Sequence, residues 1–350
     1  MRFYSKDTMN SKELICRIVE HDIPPRVGFD FRGSNPCDII YVPAAELIRP
    51  ECGNLQEWGR NPVLTSQVPH FSGELMMTPM GDIFGRFNQK TKGECVKGAL
   101  QDGWEKFDSF ALPVIDEAKD REFEQAGLAA SDKFILGGLP VAVWSPLRDS
   151  RHIEQALMDT LLEPEYVELF LEKITDLAVA IIRRAHKNGA EGIIIWDDLG
   201  TQKDLFFSPD TFKTLFKPYY KKLADELHNR GMKFFMHSCG NVYKIVAELI
   251  DAGIDVFQFD QPELTGCKVW AEEFGRKAAF YCPVDIQKIM STGDEKTIKD
   301  GALNMVNCFK QCGGSLIAKD YPTWEDINVL PEWQQWARDV IIANASLNSA

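Results

Sequence analysis

The chain has 350 residues, 45% of them hydrophobic, and a formal charge of -13 at neutral pH. Such a chain can bury a large core, while its acidic balance argues against nucleic acid or an anionic membrane as the main partner, since both attract basic surfaces. No secretory signal is visible in "MRFYSKDTMNSKELICRIVEHDIPPRVGF" and no membrane-length apolar run occurs, so a cytoplasmic protein is expected.

Along the chain, "PPRVGFDF" (24–31) reads as a first strand. The region from 40 to 130 has weak periodicity and is expected to supply one further strand plus excursions. "FILGGLPVAVW" (134–144) reads as a strand entering a loop. A helix follows over 164–187, with Val167, Phe170, Leu171, Ile174, Leu177, Ala178 and Ile181 on one face. "GIIIWDD" (192–198) has no solvent face and reads as a buried strand. Ser208 and Pro209 open a helix as N-cap and first residue, and Gly231 closes it. Strands then alternate with helices: "KFFMHSCGNV" (233–242), "IDVFQFD" (254–260), "KAAFYCPVD" (277–285) and "GSLIAKDY" (314–321), with a last helix over 331–345. Repeated βα units of this spacing mean a parallel sheet. With no linker dividing the chain, the expectation is one α/β domain over 1–350, a (β/α)8 TIM barrel with an N-terminal elaboration. A doubly wound open sheet is the alternative, and it lacks the G-x-G-x-x-G turn.

In a parallel barrel, chemistry sits where the strands stop. The ends carry Asp30 and Arg32; Trp144; Asp197 and Asp198; His237 and Cys239; Gln258 and Asp260; Cys282 and Asp285; Lys319, Asp320 and Tyr321. Each has a structural alternative: an aspartate can cap a loop and Trp144 can be core. Together, so many charges at the ends of apolar strands point to a site.

His237 and Cys239 stand one residue apart, so on a strand they face the same side. Thiolate and imidazole are favoured zinc ligands, and the turn expected at Gly240 and Asn241 holds the pair near a cleft. The nine cysteines (16, 37, 52, 95, 239, 267, 282, 308 and 312) lack the dense spacing of a disulfide scaffold and read as reduced thiols. For a third ligand Cys282 is the provisional choice, with Asp197, Asp198, Asp260, Asp320 and Tyr321 as competitors.

"HSCGN", "DVFQFDQPE" and "FYCPVDIQKIMSTGDEKTI", each after or within a strand, resemble the C-terminal half of the uroporphyrinogen decarboxylase superfamily, over about residues 134–342. The resemblance implies a (β/α)8 barrel and one of two kinds of enzyme. The decarboxylases work without metal and carry an M-R-Q-A-G-R type segment; here the corresponding place reads "IPPRVGFDFRGS". The other branch comprises zinc-dependent methyltransferases that exchange methyl groups with a corrinoid protein, and their H-x-C motif is matched by His237 and Cys239. Thiol-methylating members have a late cysteine where this chain has "IAKDYP" (317–322). The resemblance therefore implies methyl transfer from a small-molecule donor, an aryl methyl ether, to the Co(I) corrinoid of a partner protein. In that reading Zn2+ sits on His237, Cys239 and Cys282. Asp197, Asp198 and Asp260 act in catalysis, and Arg32, Trp144, Tyr281, Lys319 and Tyr321 bind substrate. Metal-free decarboxylation and methyl transfer to a thiol are the alternatives.

Overall fold

The computed structural model describes residues 9–31, 36–117, 132–323 and 327–347. Eight strands form the central sheet: β1 (Gly28–Asp30), β2 (Ile39–Pro43), β3 (Phe134–Gly138), β4 (Gly192–Trp196), β5 (Lys233–His237), β6 (Val256–Gln258), β7 (Ala279–Cys282) and β8 (Leu316–Lys319). They are hydrogen-bonded in the order β1-β8-β7-β6-β5-β4-β3-β2, and the paired neighbours are parallel. The seam between β1 and β2 carries an antiparallel bridge between Asp30 and Cys37, and the Asp38 N–H donates to the Phe29 carbonyl at 2.7 Å. The sheet is thus a nearly closed barrel, as the alternating pattern predicts. Its eighth strand is β2, at the very start of the weakly periodic region.

Two apolar layers follow from strand alternation. Phe134, Leu136, Ile194, Phe235, Val256, Ala279, Tyr281 and Ile317 form one buried cluster with Leu14, Ile15, Ile18 and Val19 of α1 (Ser11–Val19). That short helix has an Asn10 N-cap and one apolar face, and it plugs the barrel interior from its N-terminal side. The intervening strand residues, among them Ile193, Ile195, Phe234, Met236, Phe257, Phe280 and Cys282, belong to a larger cluster shared with the surrounding helices. These are α2 (Trp144–Arg151), α3 (Ile153–Leu162), α4 (Pro164–Lys187), α5 (Lys217–His228), α6 (Tyr243–Ala252), α7 (Cys267–Phe274), α8 (Glu295–Gln311) and α9 (Pro331–Ala343).

The helix expected after Ser208 begins there but runs through a π-helical stretch, Phe212–Phe216, before α5. Pro218 lacks the N–H that a regular turn would use, which accounts for the widened ladder. Between β2 and β3 the chain makes an antiparallel sheet of Glu74–Met77, Ile83–Arg86 and Glu94–Lys97, with a small core of Leu64, Leu75 and Ile83. No helix among the described residues is long and apolar enough to cross a membrane.

Candidate metal centre

The inward parity of the strands decides which predicted residues meet. Phe235 lies in the inner layer, so His237, two residues on, points inward at the C-terminal mouth. Trp196 of β4 and Gln258 of β6 stand beside it in register. After His237 the chain turns sharply. Gly240 has φ 81°, and a Cβ there would run into the Gly200 carbonyl. Asn241 N–H donates to Thr201 O at 2.7 Å, and Leu199 N–H donates to Ser238 Oγ at 3.1 Å. These contacts hold the β5 loop against the β4 loop, which brings Asp198 to the H-x-C pair.

The resulting cluster is compact. Asp198, His237 and Cys239 each offer a ligand atom, and these atoms lie within 4.8 Å of one another. His237 Nε2 is 3.4 Å from both Cys239 Sγ and Asp198 Oδ1, while Cys239 N–H donates to Asp198 Oδ1 at 2.7 Å. Cys239 is exposed, so one side of the cluster is open.

Behind it, a chain of buried polar groups fixes the imidazole. Lys319 Nζ lies 3.4 Å from Asp260 Oδ1, to which Gln258 Nε2 donates at 2.7 Å. This turns Gln258 Oε1 toward His237 Nδ1, at 2.5 Å, so Nδ1 carries the proton and Nε2 faces Cys239 and Asp198. Metal-ligating histidines are oriented in this way by a partner on the second nitrogen, and the residues present fit a divalent ion. Lys319 Nζ lies 5.3 Å from the Tyr281 ring centroid, and the Tyr281 hydroxyl donates to Asp30.

The electrostatics agree with a tightly coupled cluster. Burial disfavours the His237 cation, yet the hydrogen bonds to Asp198 and Cys239 and the charge of Asp260 raise its pKa to about 10. Burial likewise opposes ionisation of Asp198, but His237, the Cys239 N–H and Arg148 hold it down at about 2. Asp260 is also lowered: burial works against this, and Lys319 and His237 outweigh it.

Several expectations are corrected by geometry. Cys282 follows inward-facing Tyr281, so its thiol points into the layer between barrel and helices; it is fully buried, and burial pushes its pKa up to about 12. It does not join the pair; the acidic side chain that the fold brings beside His237 and Cys239 is Asp198. Cys282→Ser is therefore expected to leave metal stoichiometry unchanged, measured by elemental analysis of the purified chain; a loss of metal would restore Cys282 to the site.

Asp197 faces away from the cluster. It accepts the N–H groups of Val143, Trp144 and Ser145 at 2.9, 2.9 and 2.7 Å, the Ser145 hydroxyl at 2.8 Å and the Tyr220 hydroxyl at 2.5 Å. It thereby caps α2 from another element, a structural role. Trp144 opens that helix instead of ending a strand, and is buried against Phe206, Phe207 and Phe216. Tyr281 is buried beneath Lys319. Tyr321 lines a separate pocket with Asp320 and Arg338, and Arg32 lies outside the described residues.

Trp196 is 41% exposed beside His237, with its ring 5.8 Å from that of Tyr41 in an edge contact. Both line an open cleft of about 460 Å³, together with Leu47, Met80, Phe84 and Pro140. Asp82, also in its wall, is buried; burial and the neighbouring Asp149 raise its pKa from 3.8 to about 6. A carboxyl raised in the folded state contributes stability that is full below pH 3.8 and lost as pH rises through about 6. Asp82→Asn is accordingly expected to flatten the fall in urea midpoint between these pH values, and an unchanged slope would assign it to other groups.

Residues 136–317, just over half of the chain, match the family described as Uroporphyrinogen decarboxylase (URO-D). A Methylated-thiol--coenzyme M methyltransferase of Methanosarcina mazei is 23% identical over 167 residues, 46% of this chain and 43% of that protein. The chain thus matches less than half the length of this curated relative. A solved structure, a methyltransferase from Methanosarcina mazei, superposes with a TM-score of 0.59 at 14% identity, covering 95% of this chain and 99% of that one; the likeness is one of fold. With the family match running from within β3 to within β8, through the strands that carry His237, Gln258 and their neighbours, the chain belongs to the uroporphyrinogen decarboxylase family.

Proposed function

We propose that the protein is a zinc-dependent methyltransferase that moves a methyl group from a small donor, an aryl methyl ether, to the Co(I) corrinoid of a partner protein. The observation that carries this reading is the open cluster of Asp198, His237 and Cys239 at the barrel mouth, with His237 Nε2 turned toward the other two donors by the Gln258 contact on Nδ1. Those three residues would hold the zinc, and a bound zinc supplies a Lewis-acidic charge for the oxygen that leaves as the methyl carbon departs.

The chain's own residues do the rest. Gln258 and Asp260 position His237, while Lys319 holds Asp260 and adds a buried positive charge to the layer below the cluster. Trp196 and Tyr41 offer aromatic faces to a ring-shaped donor in the cleft beside His237. Breaking the ether C–O bond leaves a phenolate, whose charge the mouth must accept, and the methyl group passes to the corrinoid as the substrate of attack. Within this assignment Asp198 is a metal ligand and Asp260 a positioning residue.

A second reading is methyl transfer to or from a thiol, favoured by the name of the relative from Methanosarcina mazei. A thiolate would suit an open position beside the cluster. Incubation with cob(I)alamin and methoxybenzenes, followed by absorbance of the cobalt species, separates the two. Methyl transfer from the ether that stops on metal removal and returns with zinc supports the first reading. Transfer seen only with thiols or methyl thioethers supports the second, and turnover undiminished by chelator overturns the role of zinc in both.

A further inference from the structure

The cleft beside Trp196 is one-sided in charge. Its charged lining residues are Glu46, Asp82 and Asp149, and no lysine or arginine among the described residues lines it. Trp196, Tyr41 and Phe84 add aromatic side chains to the same wall, and Trp196 is substantially exposed. An aromatic face carries negative charge density, so it attracts cations as the carboxylates do.

The three carboxylates differ in what already holds them. Arg148 donates to Asp149 at 2.8 and 3.3 Å, so that pair is closed. Glu46 is exposed and has an interaction of its own. Asp82 is only 2% exposed, and its hydrogen bonds come from neutral donors, among them the Ala99 N–H at 3.0 Å and the Thr78 hydroxyl at 3.4 Å; no cation among the described residues pairs with it. Buried charges are ordinarily paired, because desolvation is costly. A cation on an occupant of the cleft supplies the missing partner, whereas an anion there meets repulsion from every side.

We infer that this cleft selects an aromatic molecule carrying a cationic arm, its ring against Trp196 and Tyr41 and its ammonium directed to Asp82, over the same ring with a neutral or anionic arm. Use of that molecule as the methyl donor rests on the aryl-ether reading above; the charge preference does not. Asp82 stands at the turn before the strand Ile83–Arg86, while Trp196 ends β4. The excursion between β2 and β3 thus supplies the charge selection, and the barrel mouth supplies the ring site.

The test is calorimetric titration of the full chain, free of zinc and corrinoid, at about pH 8, where Asp82 is ionised and an alkyl ammonium keeps its proton. The probes are para-methoxyphenethylamine, the corresponding alcohol and para-methoxyphenylpropionate, which share ring and ether and differ in charge. The amine is expected to bind at least about tenfold tighter than the alcohol, the effect of one hydrogen bond to a charged group, and the propionate more weakly than either. Asp82→Asn should abolish this preference, while Asp102→Asn, in the wall of a different cavity, should leave it intact. A propionate that binds as tightly as the amine overturns the inference, as does a preference that survives Asp82→Asn or falls equally in Asp102→Asn. Should Asp82→Asn fail to fold, Trp196→Ala decides: amine affinity lowered about fivefold or more upholds the site, and unchanged affinity overturns it. Methyl transfer to cob(I)alamin is read separately. The charge preference without transfer from the amine upholds the cleft's selectivity and removes the aryl-ether reading; transfer from the propionate, bound as tightly as the amine, does the reverse.

Discussion

Replacing His237 with alanine is expected to remove metal and methyl transfer together: zinc content falls from about one to below about 0.1 equivalents per chain, and the rate by at least about 1,000-fold. The reason is geometric. Nε2 of His237 lies 3.4 Å from each of the other two donors, so its removal leaves a carboxylate and an exposed thiol with no third anchor. Gln258→Leu makes the argument specific. It touches no metal but releases the ring from its hydrogen bond, and an outer partner of this kind is worth about 10- to 100-fold in metal affinity. Zinc titration against a competing chelator reads both effects. If Gln258→Leu binds zinc as tightly as the unaltered chain, the buried polar chain behind His237 has no orienting role. If His237→Ala keeps a full equivalent, the metal lies elsewhere.

The second large effect concerns stability. Asp197→Ala should destabilise the fold by about 4 kcal/mol or more, since each buried donor left without its acceptor costs about 1–3 kcal/mol. Three backbone N–H groups at the start of α2, the Ser145 hydroxyl and the Tyr220 hydroxyl all converge on this carboxylate. None has a route to solvent through Asp197, which is wholly buried. Its direct neighbour Asp198 predicts the opposite outcome: Asp198→Ala should weaken zinc binding with little loss of stability, because its side chain is 39% exposed. Urea denaturation of the two variants separates them. Equal losses of stability would merge the roles that the backbone keeps apart.

Much of the barrel was legible because buried parallel strands and amphipathic helices have different periods. The run at 192–196 and the face of α4 needed no tertiary information. The plug helix α1 is short and escaped that reading, while strand β2 was expected from the region of weak alternation but could not be placed within it. Within the site, the H-x-C pair was legible from spacing alone. Gln258 was visible only as a polar strand end, and Arg148, whose charge helps to hold Asp198 low, carries no sequence signal. A parity count from Phe235 and Tyr281 would have turned Cys282 outward, provided the inner face of β7 were known in advance.

By itself, the sequence determined the alternation of strands and helices, and with it a parallel barrel whose polar residues gather at one mouth. It also determined that His237 and Cys239 share a side, since a two-residue step on a strand returns to the same face. The choice between Asp197 and Asp198 belonged to the tertiary structure. Two adjacent carboxylates beyond a strand end have no local rule to tell them apart; one meets the α2 terminus and Tyr220, the other the loop that Gly240 folds back against Gly200. The third donor beside His237 and Cys239 was likewise decided by which loop the turn allows to come near.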